Sequence, residues 1–296
     1  MRLSVVHETL YEYASPVLLS QQLLHLTPRS LPRQSRHAHR IAIEPQPVEL
    51  SDSDDYFGNP TTRALFTAPH ETLSVRAESE VSVTPRGADP LAGPATGWEQ
   101  VRDQLRSLQP PPLLEPTEFV FESPYVETFA ALADYAAPSF APGRGLLDAA
   151  ADLMRRIHTD FEFDDTATSV ATPLREVLGR RRGVCQDFAH LMIGALRSLG
   201  LPARYVSGYI LTTPPPGYAR LIGADASHAW VSVHDPLTGW VDFDPTNNCL
   251  ADDEHVTLAW GRDFGDVTPM RGVILGGGEQ TLKVHVTVSP VELRDG

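Results

Sequence analysis

The chain opens on an alternating pattern. Leu3, Val5, His7, Thr9, Tyr11 and Tyr13 recur at every second position, which places them on one face of a strand. Similar short runs follow, QQLLHLTP, HRIAIEP, TRALFTA and ETLSVRAESEVSVTP, split by turn-rich pieces such as SDSDDYFGNP. Such runs, bounded by Gly, Pro, Asn and Asp, predict an antiparallel β-sandwich or barrel-like domain over residues 1–88. Within it Asp52, Asp54 and Asp55 are expected in a solvated loop, because they lack the spacing and closing Glu of an EF-hand.

Near residue 86 the pattern changes. A Pro- and Gly-rich crossing, 86–118, carries RGADPLAGPATG and LQPPPLLEP around one short helix near 98–108, and a domain boundary belongs there. Helical spacing then takes over at 126–136 and at 145–158, where Leu146, Leu147, Ala150, Leu153, Met154 and Ile157 form an inner stripe. DFEFDDTATSVAT leads into the short helix PLREVLGR. A further helix is predicted over 182–199, with Phe188, Leu191, Met192, Ala195, Leu196 and Leu199 as its stripe and Gly200 and Pro202 as its stop. Strands follow: ARYVSGYIL, a Pro-rich loop PPPGYAR, HAWVSVHD, a turn at PLTG, and GWVDFDP. Helices first and an antiparallel sheet afterwards predict an α+β core over 89–271. GGGEQTLKVHVTVSP adds an alternating strand in a C-terminal extension, 272–296, whose partner sheet the sequence leaves open.

Composition narrows the function classes. A chain of 296 residues, 42% hydrophobic and 21% charged, buries a core easily. Its net charge of −14 disfavours binding to nucleic acid or to anionic membranes, which needs clustered Lys and Arg. No run approaches the ~18 apolar residues of a membrane helix, and the first residues do not read as a secretory signal. Two cysteines suit a reducing compartment, so the expected location is cytoplasmic. The sequence leaves the number of subunits open.

The chemistry centres on Cys185, in the first turn of the 182–199 helix. The helix dipole and its unpaired N–H groups favour an anion there. A buried small hydrophobe is the commoner use of cysteine. Here Gly183 allows close backbone approach, Gln186 and Asp187 are polar, and the apolar stripe starts only at Phe188, so a nucleophile is expected. His228 begins a strand on which Trp230, Ser232 and His234 share its face, and Asp244 lies on the next strand with Trp240 and Asp242. A base and a group that orients it are what a thiol nucleophile needs. Pairing Asp235 with Trp240 across PLTG would turn Asp244 away from His228. An odd-numbered loop or a β-bulge is therefore predicted between the two strands.

Other residues carry quieter expectations. His190, about 140° round the helix from Cys185, is expected to make a supporting hydrogen bond. Asp187 is expected to cap or pair locally, and Arg180, Arg181 and Arg182 to be solvated. Arg204, Tyr205 and Tyr209 are expected to pack, and Arg262 with Asp263 to form a structural ion pair. Cys249 is expected near the site. Cys185, His190, His228 and Cys249 show no C-x-x-C or H-x-x-x-H spacing, so neither a metal nor another cofactor is expected.

At this point the segments GVCQDFAHLMIGALRSLGLPARYVSGY and SHAWVSVHDPLTGWVDFDPTN resemble the bacterial transglutaminase-like family, within the papain-like superfamily of cysteine enzymes. The resemblance continues through FEFDDTATSVATP and GRDFGDVTPMRGV, and residues 1–85 resemble the β-domain that usually precedes this core. It implies Cys185 as nucleophile, His228 as base and Asp244 as orienter, with spacings of about 43 and 16 residues. One family feature is unmatched. Transglutaminases proper carry a Trp upstream of the nucleophile that stabilises the oxyanion, whereas the tryptophans here are Trp98, Trp230, Trp240 and Trp260. Phe161-Glu162-Phe163 also stands where related bacterial sequences often have F-x-Y. Gln186 or another amide is the expected substitute, and Phe163, Gln186, Asp187, His190 and Trp230 complete the expected site. The function this implies is acyl transfer from a peptide or protein amide through a thioester, with hydrolysis favoured. The alternatives are a protein-glutamine transamidase and an idle peptide-binding scaffold.

Overall fold

Two antiparallel sheets organise the chain, and the first is built round a single long strand. The computed structural model describes residues 1–107, 114–166, 168, 171–212 and 227–291. Strand β1 (Arg2–Leu24) runs for 23 residues, merging two strands that the pattern predicts separately. Its neighbours explain the merger. The first half lies between β5 (His70–Val83) and the last strand of the chain, and the pairing with β5 shifts between Glu12 and Val17. Pro16, which has no N–H to donate, falls inside that gap. The second half pairs with β4 (Pro60–Phe66), so the extended backbone continues past the break. β2 (Gln34–Glu44) and β3 (Glu49–Asp54) complete the order β2-β5-β1-β4-β3.

The acidic cluster departs from expectation. Asp52 and Asp54 belong to β3, not to a loop; Asp52 accepts from the Thr62 hydroxyl at 2.6 Å. Only Asp55 is in the turn, where it accepts from the backbone N–H of Phe57 and Asn59, both at 2.8 Å. β3 is an edge strand exposed at every position, so it has no apolar alternation to reveal it.

Helices α1 (Trp98–Ser107), α2 (Leu114–Glu118), α3 (Ala130–Ala136) and α4 (Leu146–Asp160) follow. Then come β6 (Glu162–Phe163), α5 (Leu174–Arg180), β7 (Arg182–Gly183) and α6 (Cys185–Ser198). Residues 108–113 of the Pro-rich crossing, and 167, 169 and 170 before α5, lie outside the described residues. The second sheet is made by β8 (Ala203–Ile210), β9 (Ser227–Asp235), β10 (Gly239–Asp244), β11 (Cys249–Leu250) and β12 (His255–Gly261), in the order β11-β10-β9-β8-β12. The predicted loop PPPGYAR lies outside the described residues.

α6 packs between this sheet and the other helices. The expected stripe is buried from Phe188 to Leu196, and so are Ala189, His190, Ile193 and Gly194 on the remaining faces. A helix covered on all sides is the centre of a domain, not its surface. Arg197 is tolerated there because its guanidinium donates to the carbonyls of Phe119, Ala203 and Arg262 at 2.7–3.2 Å.

After α7 (Phe264–Val267), β13 (Met270–Gly276) and β14 (Gln280–Pro290) return to the first sheet and pair with β1. The chain therefore closes on its own beginning, Leu3 facing Pro290 and Tyr13 facing Gln280. Among the described residues, no helix is long and apolar enough to cross a membrane.

Candidate active site

The N-terminus of α6 is set by its own acid. Asp187 accepts from the backbone N–H of Val184 at 2.8 Å and from the Thr168 hydroxyl at 2.6 Å. This satisfies one of the donors a helix start leaves open. Gly183 makes the approach possible, since a Cβ there would stand 2.7 Å from Asp187 Oδ2. Burial raises the Asp187 carboxyl above its ordinary range, against the effect of these two bonds. Cys185 is thus presented partly exposed at the first turn, with Gln186 half-buried beside it.

The turn between β9 and β10 decides where Asp244 points. Asp235 pairs with Gly239, so the loop holds three residues, Pro236, Leu237 and Thr238. Gly239 has φ +79°, which suits glycine, and Asp235 Oδ1 accepts from the N–H groups of Leu237 and Thr238 at 2.8 and 3.1 Å. With an odd loop, Asp242 faces Ser232 and Asp244 falls on the side of Trp230 and His228.

Three separate segments then converge. His228 Nε2 lies 2.7 Å from Asp244 Oδ2, and Cys185 is close enough to the same imidazole to favour its charged form. Asp244 Oδ2 also accepts from Asn247 Nδ2 at 2.7 Å and from His255 Nε2 at 3.2 Å. Its Oδ1 takes the backbone N–H groups of Thr246 and Asn247 at 2.9 and 3.1 Å. Burial alone would raise this carboxyl, but the donors outweigh it and hold Asp244 far below the usual range. Burial alone would likewise lower His228. Its bond to Asp244 and the neighbouring Cys185 reverse that and push it up to about 10.

The remaining expected residues divide. Trp230 is fully buried and packs behind the imidazole, ring centroids 6.1 Å apart, so it supports His228 and presents nothing to solvent. Phe163 is 56% exposed, packs on Phe188 and sits beside Gly183 in the β6–β7 pair. His190, on a buried face of α6, is stacked on Tyr125. Its Nε2 accepts from the N–H of Phe264 at 3.1 Å, and burial pushes its pKa down to about 3. It is a neutral packing residue.

Arg262 pairs with Asp266 and not with Asp263, which caps α7 and accepts from the Tyr125 N–H. A charge four residues along is nearer than an adjacent one whose carboxylate is already taken. Arg182 pairs with Glu162 and Asp164, and Arg181 with Asp160. Arg204 is buried between the rings of Trp240 and Trp260.

Two site residues escaped the sequence reading, Asn247 and His255. The run DPTN is a turn that returns Asn247 to its own Asp, readable as an Asx-type signal. HVTLAWG is the strand that carries His255, and its alternation is the signal that was available. His228, Asp244 and His255 bring three possible ligand atoms within 4.8 Å of one another. A metal ion there would have to displace two imidazole N–H bonds to one carboxylate oxygen.

Cys249 faces Asp244 across the β10–β11 pair, and burial together with the charges of Asp244 and Glu254 pushes its thiol up to about 11. At pH 7, iodoacetamide is therefore expected to label Cys185 and leave Cys249 unmodified, as read by peptide mass mapping. Equal labelling would contradict this site geometry.

A helix carrying a thiol at its first turn, packed on an antiparallel sheet that supplies an imidazole and a carboxylate, defines the papain-like class of fold. Residues 3–82 match the bacterial transglutaminase-like N-terminal region and residues 133–245 the transglutaminase-like superfamily. The chain belongs to the bacterial transglutaminase-like family. An uncharacterized protein of Mycobacterium tuberculosis is 42% identical over 98% of this chain and 93% of its own length. One of Mycobacterium leprae is 32% identical over 97% and 98%. A protein-glutamine gamma-glutamyltransferase of Pseudomonas aeruginosa is 40% identical over 67 residues, 22% of this chain and 10% of that protein. A crystal structure from Cytophaga hutchinsonii, described as a candidate cysteine protease, shares the fold. Its TM-score is 0.76 at 20% identity, covering 100% of this chain and 92% of its own.

Proposed function

We propose that the protein is a cysteine hydrolase that cleaves an amide of a peptide or protein through a thioester on Cys185. The observation that carries this is the convergence of Cys185, His228 and Asp244, with His228 Nε2 2.7 Å from Asp244 Oδ2 and the thiol close enough to favour the charged imidazole. The sulfur attacks the carbonyl carbon, and the C–N bond breaks as His228 gives its proton to the departing amine. Water then adds to the thioester while His228 takes a proton from it, and the sulfur leaves. Asp244 keeps the imidazole in position and stabilises its charged form throughout. The backbone N–H of Cys185, at the open end of α6, is one donor for the tetrahedral oxyanion.

Hydrolysis is supported by exposure. Cys185 is partly open and Phe163, paired with Gly183 two residues before it, is mostly exposed, and water competes wherever a site does not exclude it. Transamidation is the second reading, favoured by the similarity of a short segment to the Pseudomonas aeruginosa protein-glutamine gamma-glutamyltransferase. Incubation with a glutamine- and asparagine-containing peptide library plus a fluorescent primary amine separates the two. The expected product is free carboxylate with a mass shift from ¹⁸O-labelled water. Dominant incorporation of the amine would replace hydrolysis by transamidation.

A further inference from the structure

His255 opens β12 with 6% of its surface exposed. Its Nδ1 accepts from the backbone N–H of Asp252 at 3.3 Å. That leaves the proton on Nε2, 3.2 Å from Asp244 Oδ2, so His255 donates to the carboxylate that holds His228. One side of the ring meets Trp230 edge-on at 5.3 Å. Together with Trp230 the ring lines a cavity of about 400 Å³ whose lining includes Arg33, Gln34, Arg86 and Trp260. A ring beside a void is not fixed by packing; its hydrogen bonds have to hold it.

Those bonds are anchored from the N-terminal sheet. Arg33 pairs with the Asp252 carboxylate, and the Arg86 backbone N–H donates to it at 2.7 Å. Gln34 grips Thr257 on both sides, donating to its carbonyl and accepting from its N–H, each at 2.8 Å. Asn59 does the same for Trp260 at 2.8 and 2.9 Å. Residues on both sides of His255 are thus tied to β2 and to residues flanking the strands of the first sheet, 166 to 223 positions away in sequence.

We propose that His255 is a positioning residue for the Asp244–His228 pair, and that the N-terminal sheet serves the reaction by holding His255 in place. The proposal rests on the acyl-transfer reading. A carboxylate oxygen that receives three N–H donors spreads its charge among them. Each donor weakens its hold on the His228 proton, which must be released to the leaving amine. The titratable groups facing this pair are Cys185 from α6, His228 from β9, Cys249 from β11, and Asp252 and Glu254 from the turn before β12. Arg33 and Arg86 lie beyond Asp252.

The test is a pH titration of His228 in the full-length protein by ¹⁵N-histidine NMR, its signal identified by loss in His228→Gln. His255→Phe keeps the ring against Trp230 and removes the donor. The His228 midpoint is expected to rise by about half a unit, roughly threefold in proton affinity. His255→Gln, whose Nε2 can take the same donor position, should restore the wild-type midpoint. Gln34→Ala should move it in the same direction by less. If the Phe variant fails to fold, His255→Asn, too short to reach Asp244, makes the same comparison. An unmoved or lowered midpoint, or a Gln variant shifted as far as Phe, would overturn the role of His255. An unmoved midpoint in Gln34→Ala would overturn the role of the sheet. Failure of the acyl-transfer reading shows separately, as Cys185 labelling no faster than Cys249 in the unaltered protein.

Discussion

Cys185→Ala is expected to abolish amide cleavage, a loss on the order of 10⁶-fold, the scale seen when a triad nucleophile is removed alone. The fold should survive it. Cys185 is only partly buried, and its contribution to packing is one small side chain at the rim of the core. The thermal midpoint is therefore expected within a few degrees of wild type. His228 and Asp244 would remain paired at the end of an empty line. Turnover in the alanine variant above the level without protein would remove Cys185 from the mechanism.

The second large effect is at Asp244. Asp244→Asn keeps the shape of the side chain and its turn, but removes the charge that His228 leans on. Loss of the orienting carboxylate in a comparable serine triad costs about 10⁴-fold in turnover, and a similar loss is expected here. The pH dependence gives the sharper reading. In the wild type the imidazole keeps its proton until pH rises through about 10. Activity that needs His228 as an acid should therefore persist into alkaline solution and fall near that value. Without the anion, only the Cys185 thiol is left to oppose the lowering effect of burial on His228. The alkaline limb of the residual activity should then move down, towards the ordinary histidine value of about 6.5. A profile that stays near 10 would mean that Asp244 does not set the state of His228.

The line of three residues was legible in the sequence because each member sits in a patterned element. Cys185 stands where an apolar stripe begins. His228 and Asp244 lie on alternating strands whose connecting turn had to hold an odd number of residues for them to meet, and it holds three. What supports the line was legible as a turn and a strand but not as contacts. His255 opens its strand directly after a short turn, and the residues beside it, Asp252 and Thr257, are held by Arg33, Arg86 and Gln34 from the first third of the chain. Long-range hydrogen bonds leave no periodicity. The same holds at the chain ends, where β14 alternates clearly but only the coordinates say that it pairs with β1. β3 escaped for the opposite reason: an exposed edge strand of acids reads as a loop.

Trapping the acyl-enzyme tests the central claim most directly. Full-length protein mixed with a library of peptide amides is quenched in acid, digested, and the peptide carrying Cys185 is weighed by mass spectrometry. The expected result is an added acyl mass on that sulfur, released by hydroxylamine and absent in Cys185→Ala. An unmodified Cys185 peptide under conditions where amide is consumed, or the acyl group on a different residue, would contradict it.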